Sequence, residues 1–280
     1  MDLLAQPDLS ERQKREKKYY ESYAQNFDVN KEIDFAPIRD QVSGKQYRPW
    51  NSYWRTYQLP IISFNENKVN QKEQYLLDFG CGPGDNGLRL ASIGYKVVGF
   101  DISESNVDLA NKLFLKNNKE DRGKFIVSTA EKLDLEDESF DLVVGIDILH
   151  HVDIPSSLNE VKRVLKKGGK AIFREPIEVP LLDIIRNSWP LRTLVPNTPS
   201  LESHITEDER KLNNYDLKII KSLFPNTKIE RSLIFSRLDK FIRSPGDKSA
   251  SFLERVDYFL TKIIPGFKYL GGAAVIVVEK

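Results

Sequence analysis

The sequence predicts an α/β protein built on a doubly wound, mostly parallel sheet, and three observations carry that prediction. The stretch YLLDFGCGPGDNGLRLASIGYKVVGFD at 75–101 reads as strand, glycine turn, helix and a second strand ending in an acid. Apolar runs and amphipathic stretches go on alternating to about residue 176. The 280 residues, 40% of them hydrophobic, suffice for one large core, and a single cysteine, Cys81, leaves neither an intrachain disulfide nor a thiolate metal cluster.

Taken in order, residues 9–27 read as a charged helix whose apolar stripe is Tyr20, Tyr23 or Ala24, and Phe27. Residues 28–70 read as irregular and aromatic-rich, with Tyr47, Trp50, Tyr53, Trp54 and Tyr57, so that 1–70 form a cap ahead of the main domain, 71–280. The run Tyr75 to Phe79 is too short for a helix and meets Gly80, Gly82 and Gly84 at once, which marks a buried strand opening into a tight loop. Glycine suits that loop because it tolerates positive φ and exposes main-chain N–H groups without a Cβ in the way. A helix over 85–93 follows, then the strand from Tyr95 to Phe100 that ends at Asp101, placed to accept ribose hydroxyls.

Helices are expected near 103–117 and 155–167, and strands near 124–130 and 140–149. Pro176 to Pro199 is punctuated by proline around an amphipathic piece, Leu181 to Trp189. Thr206 with Glu209 reads as a capping box for a helix running to Phe224, with Leu212, Tyr215, Ile219, Ile220 and Leu223 on one face. A sixth strand over 228–235, an amphipathic helix over 252–264 (Phe252, Val256, Phe259, Leu260, Ile263) and a last strand over 273–278 complete the chain.

The glycine turn admits two kinds of ligand. Gly82, Gly84 and Gly87 satisfy GxGxxG, with Asp101 nineteen positions beyond Gly82, a pattern that suits a dinucleotide and an NAD(P)-dependent oxidoreductase. Asp78, expected at the loop mouth, would repel a diphosphate there, and Pro83 removes an N–H that a phosphate-cradling loop would donate. S-adenosylmethionine, with a sulfonium, an ammonium and no phosphate, suits an acidic mouth.

These residues resemble the class I S-adenosylmethionine-dependent methyltransferases, in several ordered blocks between about 71 and 176. DFGCGPG at 78–84 is similar to the family's glycine motif and Asp101 to its ribose-binding acid. STAEKLDLEDESFDLVV from Ser128, GIDILHHV at 145–152 and EVKRVLKKGGKAIFREP at 160–176 follow in the family's order. The resemblance implies a Rossmann-like sheet whose last strand inserts antiparallel between the fifth and sixth. It implies S-adenosyl-L-methionine as cofactor, with Asp78, Gly80, Gly82 and Gly84 at its methionine end and Asp101 and Ile102 at the ribose. Ala130 and Glu131 would flank the adenine, and Gly145, Ile146 and Asp147 would form the floor beneath the methyl group. An N-terminal helix closes over the cofactor in such enzymes, which singles out Tyr20 and Tyr23 for cation–π contact with the sulfonium.

His150, His151 and His204 are the chain's three histidines, all expected on the catalytic rim, where an imidazole can take a proton from the acceptor; the paired histidines can equally orient their loop. The insertions at 177–205 and 236–265 are expected over the carboxyl ends of the strands, lining the acceptor pocket. Their apolar and aromatic side chains (Leu181, Leu182, Ile185, Trp189, Phe252, Phe259) point to a lipophilic or aromatic acceptor, a secondary metabolite, quinone or lipid precursor, methylated at oxygen or carbon. No NPPY-like tetrapeptide follows the fourth strand, which argues against nitrogen methylation of nucleic acid. With 42 basic against 41 acidic residues there is no global field to recruit nucleic acid or an anionic membrane. No apolar secretory stretch opens the sequence, so a cytoplasmic enzyme acting on a small molecule is expected. A protein of the same fold that binds the cofactor without turnover is the remaining alternative.

Overall fold

A computed structural model describes residues 9–42, 51–67, 72–180, 210–244 and 251–280. The helices are α1 (Glu11–Ala24), α2 (Ala36–Val42), α3 (Ser52–Asn67), α4 (Asp85–Ile93), α5 (Glu104–Lys116), α6 (Ile154–Val164), α7 (Asn214–Leu223), α8 (Asp239–Ile242) and α9 (Phe252–Ile263). The strands are β1 (Tyr75–Phe79), β2 (Lys96–Asp101), β3 (Gly123–Val127), β4 (Phe140–Ile146), β5 (Leu165–Pro176), β6 (Lys228–Ser232) and β7 (Ala273–Glu279). They form one sheet in the order β3-β2-β1-β4-β5-β7-β6. The pairs from β3 through β5 are parallel, and β7 runs antiparallel to both β5 and β6. The expected last strand, inserted between the fifth and sixth, is therefore present.

Strand alternation explains the two cores, because successive side chains leave opposite faces of a sheet. Leu76, Val97, Leu142, Val144, Ile172 and Val275 pack with Tyr57 and with Leu88, Ala110 and Phe114 of α4 and α5. Their neighbours Leu77, Val143, Ala171, Phe173, Ala274 and Ile276 pack with Leu158 and Val161 of α6 and with Ile220 of α7. Near-continuous apolar strands are what a sheet covered on both faces requires.

Helix starts follow local chemistry. Ser10 and Gln13 form a reciprocal capping box on α1, Ser103 accepts from the Asn106 amide at α5, and Asp153 from the Ser156 amide at α6. Gly84 caps α4 with φ 87°, and a Cβ there would stand 2.7 Å from the Ala110 Cβ, so only glycine lets α4 meet α5 this closely.

Several sequence expectations are corrected. Residues 28–70 are not wholly irregular: α2 and α3 lie within them, and α3 carries Pro60 in its interior while burying Trp54, Tyr57 and Ser63. The helix expected from Thr206 is capped instead by Asn213, which forms a capping box with Asp216; Thr206 and Glu209 lie outside the described residues. That shift turns Tyr215 outward, 70% exposed, and puts Leu217 and Ile220 on the buried face. The sixth strand stops at Ser232, where Leu233 takes φ 66° and turns the chain away. Tyr47, Trp50, Leu181, Leu182, Ile185, Trp189 and His204 also lie outside the described residues. Among the described residues, no helix is long and apolar enough to cross a membrane.

Candidate functional site

The sequence after β1 must leave the sheet and enter α4 within a few residues, and Gly80, Gly82 and Gly84 do so with φ of 74°, 50° and 87°. A Cβ at Gly82 would meet nothing within 4 Å, so this glycine keeps the wall open rather than making room for protein. Around it lies a cavity of about 570 Å³ at the carboxyl ends of β1 to β5. This is where an open α/β sheet reverses strand order and admits ligands.

Asp101 is the hinge of the loop. Its Oδ2 accepts the Gly82 amide at 2.9 Å, while Oδ1 accepts the Ser103 amide at 2.8 Å and Asn106 Nδ2 at 3.2 Å. Burial raises its pKa, and those donors, together with Glu21 nearby, act as smaller influences. Ile102, Ala130 and Glu131 line the same cavity. Glu131 clamps two elements, accepting the Asp153 amide at 3.0 Å and Gln13 Nε2 at 2.9 Å. Its carboxylate thus ties α1 to the start of α6.

Tyr20 and Tyr23 line the cavity from α1, together with Tyr19 and, just past the helix, Phe27. Tyr20 and Tyr23 meet edge to face with centroids 6.5 Å apart. Opposite them, Ile146 and Asp147 form part of the wall. Asp147 takes φ 55°, which a side chain seldom adopts, and pairs with Arg174. Its pKa is raised, chiefly by burial.

Both described histidines reach the cavity, held in different ways. His150 is 3% exposed, and its Nδ1 lies 2.7 Å from Glu175 Oε2. Glu175 is wholly buried, and its Oε1 accepts the Ile148 and Leu149 amides at 3.0 and 2.8 Å. The loop backbone and the imidazole are thus oriented by one carboxylate. His151 is bound on both ring nitrogens, with Nδ1 3.3 Å from Glu16 and Nε2 3.3 Å from the Tyr20 hydroxyl. It fastens α1 over the site.

Three expected residues stand behind the cavity rather than on it. Gly84 seats α4 against Ala110, and a Cβ on Gly145 would strike Phe173 and Ile148. Asp78 does not guard the loop mouth. It is 3% exposed, its Oδ2 lies beneath the loop against Gly87 without a hydrogen-bond partner, and burial, with Asp85 and Asp101 nearby, pushes its pKa to about 8. At neutral pH it is mostly protonated, so the repulsion expected from it comes from elsewhere. Glu16, Asp85, Asp101, Glu131 and Asp147 line the cavity, and no lysine or arginine does so among the described residues. That donor set suits a cation and opposes a pyrophosphate.

Glu175, Glu16 and Gln13 are the functional candidates the sequence reading passed over. For Glu175 the signal was present: an acid two residues after Phe173, on the same side of the strand as Ala171 and Phe173, has to be paired or functional once buried. Nothing local marks Glu16 and Gln13, since they become site residues only when α1 docks across 118 or more positions of sequence.

Comparison with known proteins agrees with the geometry. Residues 77–173, from β1 to β5, match the family described as a methyltransferase domain. The chain is 36% identical over 156 residues to the 27-O-demethylrifamycin SV methyltransferase of Amycolatopsis mediterranei (strain S699), covering 52% of this chain and 57% of that protein. It is 32% identical over 105 residues to a sterol 4-C-methyltransferase of Caenorhabditis elegans, covering 37% and 31%. The chain spans about half or less of the length of the curated relatives it matches. In fold it is similar to a geranyl diphosphate C-methyltransferase from Streptomyces coelicolor A3(2), solved with S-adenosyl-L-homocysteine. The TM-score is 0.55 at 13% identity, covering 96% of this chain and 98% of the other.

Proposed function

We propose that this chain, which belongs to the class I S-adenosylmethionine-dependent methyltransferases, transfers a methyl group to a hydroxyl or carbon of a small lipophilic or aromatic acceptor. The observation that carries the reading is the cavity beside Gly82, walled by carboxylates and tyrosines and without a basic side chain among the described residues. Bound S-adenosyl-L-methionine supplies an electrophilic methyl on a sulfonium, delivered in a single in-line displacement.

The chain's own residues bind, orient and exclude water. The loop at Gly80 and Gly82 would hold the methionine end, Asp101 and Ile102 the ribose, and Ala130 and Glu131 the adenine. Asp101 is set for this because the Gly82 amide fixes one of its oxygens at the loop. Tyr20 and Tyr23 close the cavity from α1, where an aromatic face attracts a cation by about 0.5–2 kcal/mol. Gly84, Gly145 and Asp78 act from beneath by shaping the loop. Ile146 and Asp147 form the floor, with Asp147 held by Arg174.

Of the two described histidines, His150 is the better candidate to take the acceptor's proton. With Nδ1–H donated to the buried Glu175, the tautomer has Nε2 as its basic nitrogen, and the carboxylate stabilises the imidazolium that forms. His151 is engaged on both nitrogens and serves to hold α1 down. Holding two reactants at near-attack distance in a closed site supplies several kcal/mol.

The deciding experiment is calorimetric titration with S-adenosylhomocysteine and with NAD, followed by a labelled-methyl screen over phenols, polyketide acids, quinone precursors and sterols read by mass spectrometry. Binding of the thioether, no binding of the dinucleotide, and a product methylated at oxygen or carbon are the expected outcomes. Uptake of NAD alone would end the reading.

A further inference from the structure

Among the described residues, most of the exposed large apolar side chains lie between Leu233 and Tyr269. Phe252, Phe259 and Ile263 are 76%, 61% and 55% exposed and stand seven and four positions apart, so they share one face of α9; against the sequence expectation, Phe252 and Phe259 do not line the cavity beside Gly82. Ile242, Ile264 and Tyr269 are exposed as well. A strongly amphipathic helix ordinarily turns its apolar face into the core; this one turns phenylalanine and isoleucine into solvent, flanked by Arg255 and Lys262.

Next to the helix is a second cavity, of about 450 Å³, between α3, β6 and α9. Four cations line it, and Arg55 is paired with Glu230 while the other three are not paired with an acid among the described residues. The Arg231 guanidinium meets the Tyr269 carbonyl oxygen at 3.2 Å and lies 5.7 Å from the Tyr269 ring centroid. Lys262 lies 5.3 Å from the Tyr258 ring centroid and Lys268 5.5 Å from that of Tyr269. The acids that line the cavity are already committed. Glu230 takes Arg55 in a two-pronged pair at 2.8 Å on each oxygen, and Asp257 accepts the Ile234, Phe235 and Ser236 amides and the Ser236 hydroxyl. Ser232 Oγ is buried there without a hydrogen-bond partner. Unpaired cations and an unused hydroxyl around a cavity call for an anion.

We propose that this carboxyl-terminal insertion docks on an anionic membrane surface, with Arg231, Lys262 and Lys268 receiving a lipid phosphate while Phe252, Phe259 and Ile263 enter the acyl boundary. The combination selects the occupant. A free phosphate uses the cations and leaves the apolar stripe in water, and a second copy of the chain would set one cationic patch against its twin. An apolar helix face with basic flanks is the interfacial pattern. Across residues 231–270 basic side chains outnumber acidic ones two to one, in a chain whose net charge is only +1, so the charge is local to this edge. The surface goes beyond the methyl-transfer reading and does not depend on it.

The test is sedimentation of the full chain with vesicles of phosphatidylcholine alone and of phosphatidylcholine with phosphatidylglycerol. The protein is expected to pellet with the anionic vesicles only, and less so as salt rises. Lys262→Gln and Lys268→Gln should each weaken the association about fivefold, and Phe252→Ser and Phe259→Ser on the order of tenfold each. Vesicle binding lost in these variants while S-adenosylhomocysteine affinity stays intact supports this proposal apart from the methyl-transfer reading. It is overturned by wild-type protein that stays in solution, by equal retention on uncharged vesicles, or by variants that bind as the wild type does. Calorimetric uptake of inorganic phosphate without vesicle binding, or a dimer that Phe259→Ser disperses, would overturn it too.

Discussion

The cleft at the carboxyl ends of the central strands and the β6 edge meet solvent in opposite ways. At the carboxyl ends of β1, β2 and β4, polar groups are answered from within the chain: Asp101 by three donors, Glu175 by two amides and an imidazole, Glu131 by α1 and α6. At the β6 edge, Arg231, Lys262 and Lys268 face a cavity whose acids, Glu230 and Asp257, are engaged elsewhere, and phenylalanines stand in water. The difference teaches where each surface finds its complement. The first is preorganised around a small ligand and already holds its own shape. The second is complete only against something outside the chain.

Asp78 is the exception at the well-satisfied end, and it gives the largest expected effect. Its pKa is pushed from 3.8 to about 8, burial first and the neighbouring Asp85 and Asp101 after it. Between those values the folded protein holds a proton that the unfolded chain releases. Stability therefore falls as pH rises from about 4 to about 8, by up to roughly 1.4 kcal/mol per pH unit, and levels off above that. Asp78→Asn should flatten this slope, with a gain over wild type that is largest at pH 8 and above, on the order of a few kcal/mol. Urea denaturation of the ligand-free proteins across that range checks it. Parallel slopes for the two proteins would show that Asp78 is already ionised when folded, and would restore it as an acid that repels a pyrophosphate.

How much of this was legible in the sequence follows from the same residues. The run from Tyr75 to Asp101 could be read nearly to the residue, because a glycine turn punctuates it and its apolar runs have strand length. His150 and His151 line the cavity, while His204 lies outside the described residues. The misreadings have local causes. Pro60 broke the helical pattern of α3, although the helix continues through it by burying Trp54 and Tyr57. Asp78 reads as a loop-mouth acid because a sequence places a residue near the end of a strand but does not say which way its side chain folds under the turn that follows. Tyr215 reads as inward when the helix frame starts at Thr206, whereas Asn213 sets the frame. Glu16 and Gln13 owe their roles to docking over more than a hundred positions, which no window of sequence contains.

A smaller effect tests whether the preorganised end works as a unit. Asp101→Ala removes the acceptor for the Gly82 amide, the Ser103 amide and Asn106 together. It should weaken S-adenosylhomocysteine binding by about 1–3 kcal/mol, through lost charge-assisted contacts and a loosened loop. Calorimetry measures this directly. Unchanged affinity would remove Asp101 from the cofactor site and leave it a brace for the start of α5.

The smallest effect belongs to the other edge. Phe259 is 61% exposed on α9, so Phe259→Ala should change unfolding free energy by no more than about 0.5 kcal/mol. A buried phenylalanine truncated the same way costs about 3–5 kcal/mol. Thermal and urea unfolding of the free protein would read the difference. A loss of several kcal/mol would mean that the side chain is covered by part of this chain, and the contrast between the two ends would collapse into two faces of one core. A near-zero change leaves a large aromatic side chain that does nothing for folding, so its use must be sought in what α9 meets outside the molecule.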